Sequence, residues 1–538
     1  DYNSYQNEIL CWTVNGQKWP LSMLRAQHDH HSLVIAPELS QRNGAAIVDN
    51  VHLFKGRGPH ATALGIYREN ESQALSLHLV GPFLHSVTDT TANIEWWTSA
   101  PANYKLAWGE TPAMKNTVSP LRLWDHFITY SLTGLKPKTT YYFRIISARP
   151  SGEEGSDFLP ALDPEKTEIS FKTAPSADEA VTYHVDPGGN DENDGRSRGK
   201  AFRTVSHAAY VVKPGDTVLI GEGTYDETVR IRATGEKGRP ITFRSMPYEK
   251  VTFNGTNLRG AFKVMGKKEI TLDGFYFTNF GDSDCVFILW KSDQVKIIRC
   301  FNVVGTGYGG FVKAVFSTDL LVKNCVAAGG MGIIDLHVCP GFHVEHNLLI
   351  RPFITALNFV NEPQQKGYFR KNIVTDNLPY KVKQPLVVAG RFRSLVEEDN
   401  SYMVRLPVEE RKMFLFYGTA AYGRYAPDYG VKTTLDSPPV FVDHPDGAEN
   451  NPRLTLKEYQ AMVGDTGSFV GDPKCAGTLG MKPGGKLWTG DPSQIFDKLF
   501  GKEGLDFPDT FVTDPKAKEK GIGPVPEDFR DFWFNKKK

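Results

Sequence analysis

Four short segments in the middle of the chain place an asparagine at the same point of a repeating pattern. They are LLVKNCVA, FHVEHNLLI, GYFRKNIV and LVEEDNSYM, which carry Asn324, Asn347, Asn372 and Asn400 at spacings of 23, 25 and 28 residues. One step earlier, VKIIRCFNVV puts Cys300 at that point and ITLDGFYF puts Asp273 there. A period of this size means that each repeat buries its apolar face only against its neighbours. The repeats are rich in β-branched and aromatic residues, with turns of Gly, Asn and Asp, so the unit is built of strands. Three short strands and three turns use about two dozen residues, which is one coil of a parallel β-helix. The expected fold class is all-β, with a right-handed parallel β-helix over residues 181–400 and Asn324, Asn347 and Asn372 stacked at one turn. Such a solenoid offers a long open face suited to a polymer.

The 538 residues suffice for two or three domains, each with its own core. Lysine plus arginine number 62, as do aspartate plus glutamate, so the net formal charge is zero. That balance argues against a nucleic-acid partner, which calls for a basic excess. No apolar run is long enough to span a membrane. The cysteines are Cys11, Cys285, Cys300, Cys325, Cys339 and Cys475, without the CxxC or Cys/His spacing of a zinc site. Four of them fall in the repeats, where buried thiols stacked between coils are expected ahead of disulfides.

Residues 1–78 carry short apolar runs that suggest small strands of no clear fold. The cluster His28, Asp29, His30 and His31 sits in a polar stretch before a strand and reads as a solvated loop ahead of a metal site. Over residues 79–175, NIEWWTS, YKLAWG, FITYSLTGL, TYYFRIISA and EISFKTA alternate at sandwich-like spacing. The run GLKPKTTYYFRI resembles a fibronectin type III domain, with Leu135, Pro137 and Tyr141 where that family has its corner residues. The resemblance implies a β-sandwich with Trp96 or Trp97 in its core, acting as a spacer.

After the linker APSADEA, the stretch YHVDPGGNDENDGRSRGKAFRTVSHAAYVVKPGDTVLIGEGTY is similar to the first coil of many secreted β-helix carbohydrate enzymes. The resemblance implies a short capping helix near Thr204–Val212, and a cap is required because an open solenoid end exposes apolar side chains and unpaired strand edges. LTLKEYQAMVGDTGSFVGDPKC and DFPDTFVTDPKAKEKGIG resemble the closing segment of bacterial β-helix hydrolases and lyases, so residues 401–538 are expected to wrap back over the solenoid. The expected location is secreted or periplasmic; this rests on the resemblance, since no signal-peptide pattern stands at Asp1.

Within a strand, residues alternate between the filled interior and the outside. In MGIIDLHVCPG, Ile334, Leu336 and Val338 point in, which turns Asp335 and His337 outward. In the next coil, ITALNFVNEPQQ offers Asn358 and Glu362. Counting back ten residues from Asn347 and Asn372 makes Glu362 the neighbour of His337. Asp335 and Glu362 are then the expected acid and base (or nucleophile) of a glycosidase, with His337 tuning them. Lys313 lies one coil earlier, and Arg391 and Arg393 one coil later, as candidate binders of an anionic sugar. Trp290, Tyr308 and Tyr380 are candidate sugar-stacking walls. Glu345, His346 and Asp319 belong to turns or another face.

Three readings follow. The first is a glycoside hydrolase cleaving a polysaccharide, with anionic or sulfated polymers included. The second is a polysaccharide lyase acting on a uronate polymer, in which a Lys, His or Tyr takes the C5 proton and a cation stabilises the carboxylate. The chain is similar in its opening coil to the chondroitinase B-like and alginate lyases, but departs from their run of calcium-binding acids followed by Lys and Arg in matching coils. The third is a non-catalytic glycan-binding protein. No cofactor is expected and no metal ligands are assigned, although a structural or catalytic Ca2+ is compatible with this class. The expected partner is a polysaccharide or oligosaccharide, bound by a monomer.

Overall fold

The computed structural model describes residues 79–98, 102–118, 127–150, 169–175 and 179–402, apart from 257, 259, 281–283, 290, 304–308, 331, 351–354, 361–365, 376–387 and 391–394. It also describes 414–416, 453–454, 456–465, 467–470 and 515–525, and the backbone of four short strands between 11 and 34. The chain divides into two compact units, Asp1–Asp178 and Glu179–Lys538.

The described part of the first unit is antiparallel. Leu79–His85, Thr91–Thr98 and Phe127–Thr133 form one sheet. Ile169–Lys172, Thr140–Pro150, Ala102–Gly109 and Asn116–Val118 form a second, in that order. Between them, fully buried Trp96 meets Tyr104 edge-on, with ring centroids 4.7 Å apart. The buried Tyr141 accepts the backbone N–H of Lys136 at its hydroxyl, at 2.9 Å, and Leu135 is buried beside this corner.

The second unit is a parallel β-helix. Its three sheets have nine strands each, and successive strands of each sheet come from successive coils. Every pairing is parallel except the last in the third sheet, Phe414–Phe416 with Arg453–Leu454. In the third sheet Val286 and Ile288, Val312 and Ala314, Ile334 and Leu336, and Leu357 and Phe359 stack in register inside the solenoid. These inward aliphatics leave the alternate residues facing out. The first coil is capped by the helix Val205–Val211, which buries Val205, Ala208 and Ala209. Thr204 caps it by accepting from the His207 N–H, and the Glu227 carboxylate accepts from the N–H groups of Val205 and Ser206 at 2.8 and 2.9 Å.

The corner between the first and second sheets shows how the asparagine repeat works. From Gly274 onward each of these corners is two residues long. Its first residue is left-handed: Arg299, Asn324, His346, Lys371 and Asp399 align in register, with φ between 50° and 56°. Its second residue faces inward and forms a ladder. Asn347 Oδ1 accepts from the Cys325 N–H, Asn372 Oδ1 from the Asn347 N–H, and Asn400 Oδ1 from the Asn372 N–H, at 2.8–3.1 Å. The Asn347 and Asn372 amides also donate along the column to the next Oδ1. Asn324 is therefore not in the stack. Cys325 takes that place, and Asp273 lies two residues ahead of its coil's ladder position, which Phe275 fills. Asparagine suits both corner positions, since it tolerates the left-handed region and its amide can form ladders; that is why the motif alone misplaces the register by one. The free, buried Cys300 and Cys325 continue the column.

At the far end Phe469–Val470 adds a rung beside Ser401–Tyr402, and Ser468 Oγ accepts the Asn400 N–H at 2.8 Å. The segment Lys520–Val525 then runs back along the corner column. Lys520 pairs with Asp399, the Gly523 N–H bonds the Lys371 carbonyl at 2.7 Å, and the Val525 N–H bonds Asn324 Oδ1 at 3.0 Å. Among the described residues, no helix is long and apolar enough to cross a membrane.

Candidate active site

The outer face of the third sheet carries one continuous row. Arg230, Lys263, Phe287, Lys313, Asp335 and Asn358 are successive register partners, about 4.8 Å apart from coil to coil. Each faces outward because the residues flanking it are the inward aliphatics of its strand. Arg230 and Lys263 are nonetheless buried. Burial, with Arg232 adjacent, pushes the Arg230 guanidinium down to about 9.

Asp335 is the hub of the row. Its Oδ1 lies 2.6 Å from His337 Nε2 and accepts from Asn358 Nδ2 at 2.8 Å. Its Oδ2 lies 3.1 Å from Lys313 Nζ. Burial raises the Asp335 carboxyl, but His337 and Lys313 outweigh it and hold it well below the usual carboxylate range. Asp335 is thus an anion that accepts hydrogen bonds and has no proton to give. Lys313 and Asp335 are about one-fifth exposed, while the His337 side chain is 6% exposed beneath them. Lys313 is therefore the cation of this cluster most open to a ligand.

A further acid belongs here that the sequence reading did not single out. Asp284 lies at the head of the strand Val286–Leu289, half-buried. Its Oδ1 accepts the Gly310 N–H at 2.9 Å. Burial, and then the charge of Asp335, raise its carboxyl above the ordinary range, with Lys313 and the Gly310 N–H opposing. The signal was present in SDCV, an acid just before an inward strand where the next coils carry Gly310 and Gly332. It was passed over because it lies ahead of the alternating segment. Arg230 and Lys263 are not legible in the sequence because a lone cation on a strand reads as a solvated side chain, whereas the fold buries both.

The structure brings Lys313, Asp335, His337 and Asn358 together as expected of neighbouring coils. It corrects the position argued for Glu362. The register partner of His337 is Val360, because the turn after Val360 is two residues longer than the one after His337. Glu362, Arg391, Arg393, Trp290, Tyr308, Tyr380 and the cluster His28, Asp29, His30 and His31 lie outside the described residues. The strand Val388–Gly390, which leads to Arg391, pairs with Thr355–Val360. Glu345 is on the first sheet, paired with Lys323 at 3.1 Å, and His346 is a corner residue; neither faces the row. Among the described residues no group of three His, Cys, Asp or Glu is arranged to hold a metal ion.

Residues 200–319 match the family model of chondroitinase B. This stretch is similar to that family. It includes Arg230, Lys263, Asp284 and Lys313 and stops short of Asp335. A separate comparison finds 37% identity over 97 residues with the uncharacterized protein YwoF of Bacillus subtilis (strain 168), covering 17% of this chain and 20% of that one. The chain thus spans about a fifth of the length of that curated relative. Among solved structures, a rhamnogalacturonan lyase aligns at 15% identity over 42% of this chain and 74% of its own, with a TM-score of 0.30. A pectate lyase, Pel9A, aligns at 14% identity over 42% and 70%, with a TM-score of 0.26.

Proposed function

We propose that this protein is a secreted carbohydrate-active enzyme that cleaves a uronate-containing polysaccharide by β-elimination, on the outer face of its third sheet. The observation that supports this reading is the state of Asp335. It is held as an anion by Lys313, His337 and Asn358. That rules it out as the protonated acid of a two-carboxylate hydrolysis and leaves it there only the base or nucleophile role. It suits it to orient a base and a cation instead. The similarity of residues 200–319 to the chondroitinase B family supports the same class.

In this reading the Lys313 ammonium meets the uronate carboxylate and stabilises the negative charge that builds as the C5 proton leaves. Asp335 fixes the His337 ring through its Nε2. With Nε2 on Asp335, His337 Nδ1, buried in the free protein, is the ring nitrogen left to take the C5 proton once substrate binding opens it. The C5–H electron pair becomes the C4=C5 double bond, the C4–O bond breaks, and the leaving oxygen takes a proton from water or from the base protonated in the first half of the step. The buried cations Arg230 and Lys263 extend the positive field along the row, which favours an anionic polymer. Residues 79–175 serve as a spacer.

The test is a panel of alginate, polygalacturonate, chondroitin sulfate and neutral glucans, read for reducing ends and for ultraviolet absorbance of the unsaturated product. Both signals should rise together on a uronate polymer. Reducing ends without the absorbance would assign hydrolysis. No cleavage of any polymer, with binding retained, would assign a glycan-binding role.

A further inference from the structure

The segment Lys520–Val525 is bound along the one corner of the solenoid that does not border the third sheet. The chain runs from the third sheet to the first, through this corner to the second, and back to the third. Asn324, His346, Lys371 and Asp399 open the corner in four successive coils. The third-sheet strands of the first three coils carry Lys313, Asp335 and Asn358, and that of the fourth is Val388–Gly390. The segment bonds all four coils. Lys520 pairs with Asp399 and donates to the Gly467 carbonyl at 3.1 Å. Gly523 donates its N–H to the Lys371 carbonyl at 2.7 Å, and its own carbonyl accepts from His346 Nδ1 at 3.2 Å. The Val525 N–H reaches Asn324 Oδ1 at 3.0 Å. Gly523 has a φ of 91°, open to glycine and costly to other residues, and so serves two coils at once. A Cβ on Gly467 would collide with Asp399 Oδ1, so the Lys520 clamp is closely fitted too. Ile522, Gly523 and Pro524 are buried.

The coils of the candidate site lie near the end of the stack. Each coil holds only its neighbours, so a solenoid loosens from its ends inward. The strands shorten just beyond Asn358. The third sheet goes from the six residues of Thr355–Val360 to the three of Val388–Gly390, and among the described residues the first sheet ends at Leu395–Glu398. On that side Asn358 is the group that holds Asp335 Oδ1, at 2.8 Å. We propose that Lys520–Val525 is a positioning strap, which ties the last coils to the inner coil of Asn324 and so keeps Asn358 on Asp335. This rests on the reading of the Asp335 cluster as the active site. The strap acts through the coils it holds, since the corner it covers does not border the face proposed to bind substrate.

The experiment uses the full chain with Lys520→Met, which loses the pair with Asp399, and Lys520→Arg, which keeps a cation there. Gly523→Pro is the more severe variant, because it removes the N–H on Lys371 and excludes the left-handed region; if it does not fold, Lys520→Met carries the test. Hydrogen exchange needs no substrate and is read first. In Lys520→Met, amides of Leu395–Glu398, Gly367–Arg370 and Thr355–Val360 should exchange about tenfold faster than in the wild type, with Ile241–Ser245 unchanged. Lys520→Arg should exchange as the wild type does. Unchanged exchange at Thr355–Val360 overturns the proposal. So does equal acceleration at Ile241–Ser245, which would mark loosening of the whole solenoid.

The second arm is kinetic, on whichever uronate polymer of the panel is cleaved fastest, well below the melting temperature. Lys520→Met should lower kcat about tenfold and move KM less than about twofold, because Lys313 stands on a coil further from the end. Lys520→Arg should restore kcat. Faster exchange with a wild-type kcat would make the segment a brace of the fold alone and overturn its part in the site. If no polymer is cleaved, the proposed reaction fails, and exchange at Thr355–Val360 still decides whether the strap holds the Asn358 strand.

Discussion

A single residue gathers the polar cluster of the third-sheet face. Asp335 lies between inward Ile334 and Leu336, so its outward direction was legible from the alternation of its strand alone. Its ionised state was not, because that depends on Lys313 one coil before and Asn358 one coil after. Asp284 escapes the same alternation because it lies ahead of the strand Val286–Leu289, where period-two reasoning does not reach. Asp335→Asn should lower turnover on a confirmed polymer by about a hundredfold or more, the scale of lost acid–base help. It also leaves Lys313 and His337 facing a neutral amide, a loss of roughly 1–3 kcal/mol for a partly exposed charge-assisted cluster. The sign of its pH dependence is fixed. Because the folded pKa of Asp335 is lowered, its contribution is present above the unfolded value and fades as pH falls toward the folded one. Melting curves of wild type and Asp335→Asn should therefore converge in acid; a gap that stays constant down to the lowest pH would contradict this. Lys313→Met should raise KM for an anionic polymer more than for a desulfated or esterified one, measured by initial rates on matched substrates. Equal effects on both would move the anion contact elsewhere.

At the level of elements, the coil is specified by its corners. The repeat of two dozen residues gave the solenoid because it counts three strands and three turns. The pattern was ambiguous by one residue, since Asn324 fills the left-handed corner in one coil and Asn347 the ladder in the next. Asn347 and Asn372 are in register, so it is the turn after Val360, two residues longer, that displaces Glu362 from beside His337. Corner residues such as Arg299, His346 and Lys371 hold a left-handed backbone that costs about 1–2 kcal/mol each for a side chain with a Cβ. The ladder offsets this. Asn372 accepts from the Asn347 N–H and amide, and donates to the Val344 carbonyl and Asn400 Oδ1. Asn372→Ala removes all four bonds and buries unpaired groups on both neighbours, so it should destabilise by roughly 2–4 kcal/mol. Lys371→Gly, one position earlier, relieves the corner and should cost far less. Denaturant melts of the two variants test this, and a larger loss for Lys371→Gly would mean that the corner side chain matters more than the ladder.

On the scale of the whole solenoid, the two ends are closed by different means. The first coil is sealed by apolar burial under the helix Val205–Val211, as its sequence suggested. The last coil is closed around a carboxyl group, which no local pattern foretold. Glu397 is buried on the strand Leu395–Glu398. It accepts from the hydroxyls of Tyr402, on the second sheet, and Tyr459, on the helix Leu456–Val463, and from Ser468 Oγ at 3.2 Å. These partners lie up to 71 residues away in sequence, so only the fold brings them together. Burial pushes Glu397 up to about 7, with Asp465 adding to the rise and the tyrosine hydroxyls opposing it. The closure is then strongest while Glu397 keeps its proton. A raised carboxyl contributes stability below its unfolded pKa and loses it as pH rises through the folded value, here about 7. The loss amounts to roughly 3 kcal/mol across that window, at about 1.4 kcal/mol per pKa unit. Hydrogen exchange at Phe469–Val470 and Ser401–Tyr402, corrected for intrinsic rates, should show the last rung opening about tenfold more readily at pH 8 than at pH 6, because only about 1.4 kcal/mol of that loss falls between those two values. Glu397→Gln keeps the acceptor and removes the charge, so its rung should exchange alike at both values. A Gln variant that still loosens in alkali would place the sensitive group elsewhere in the closure.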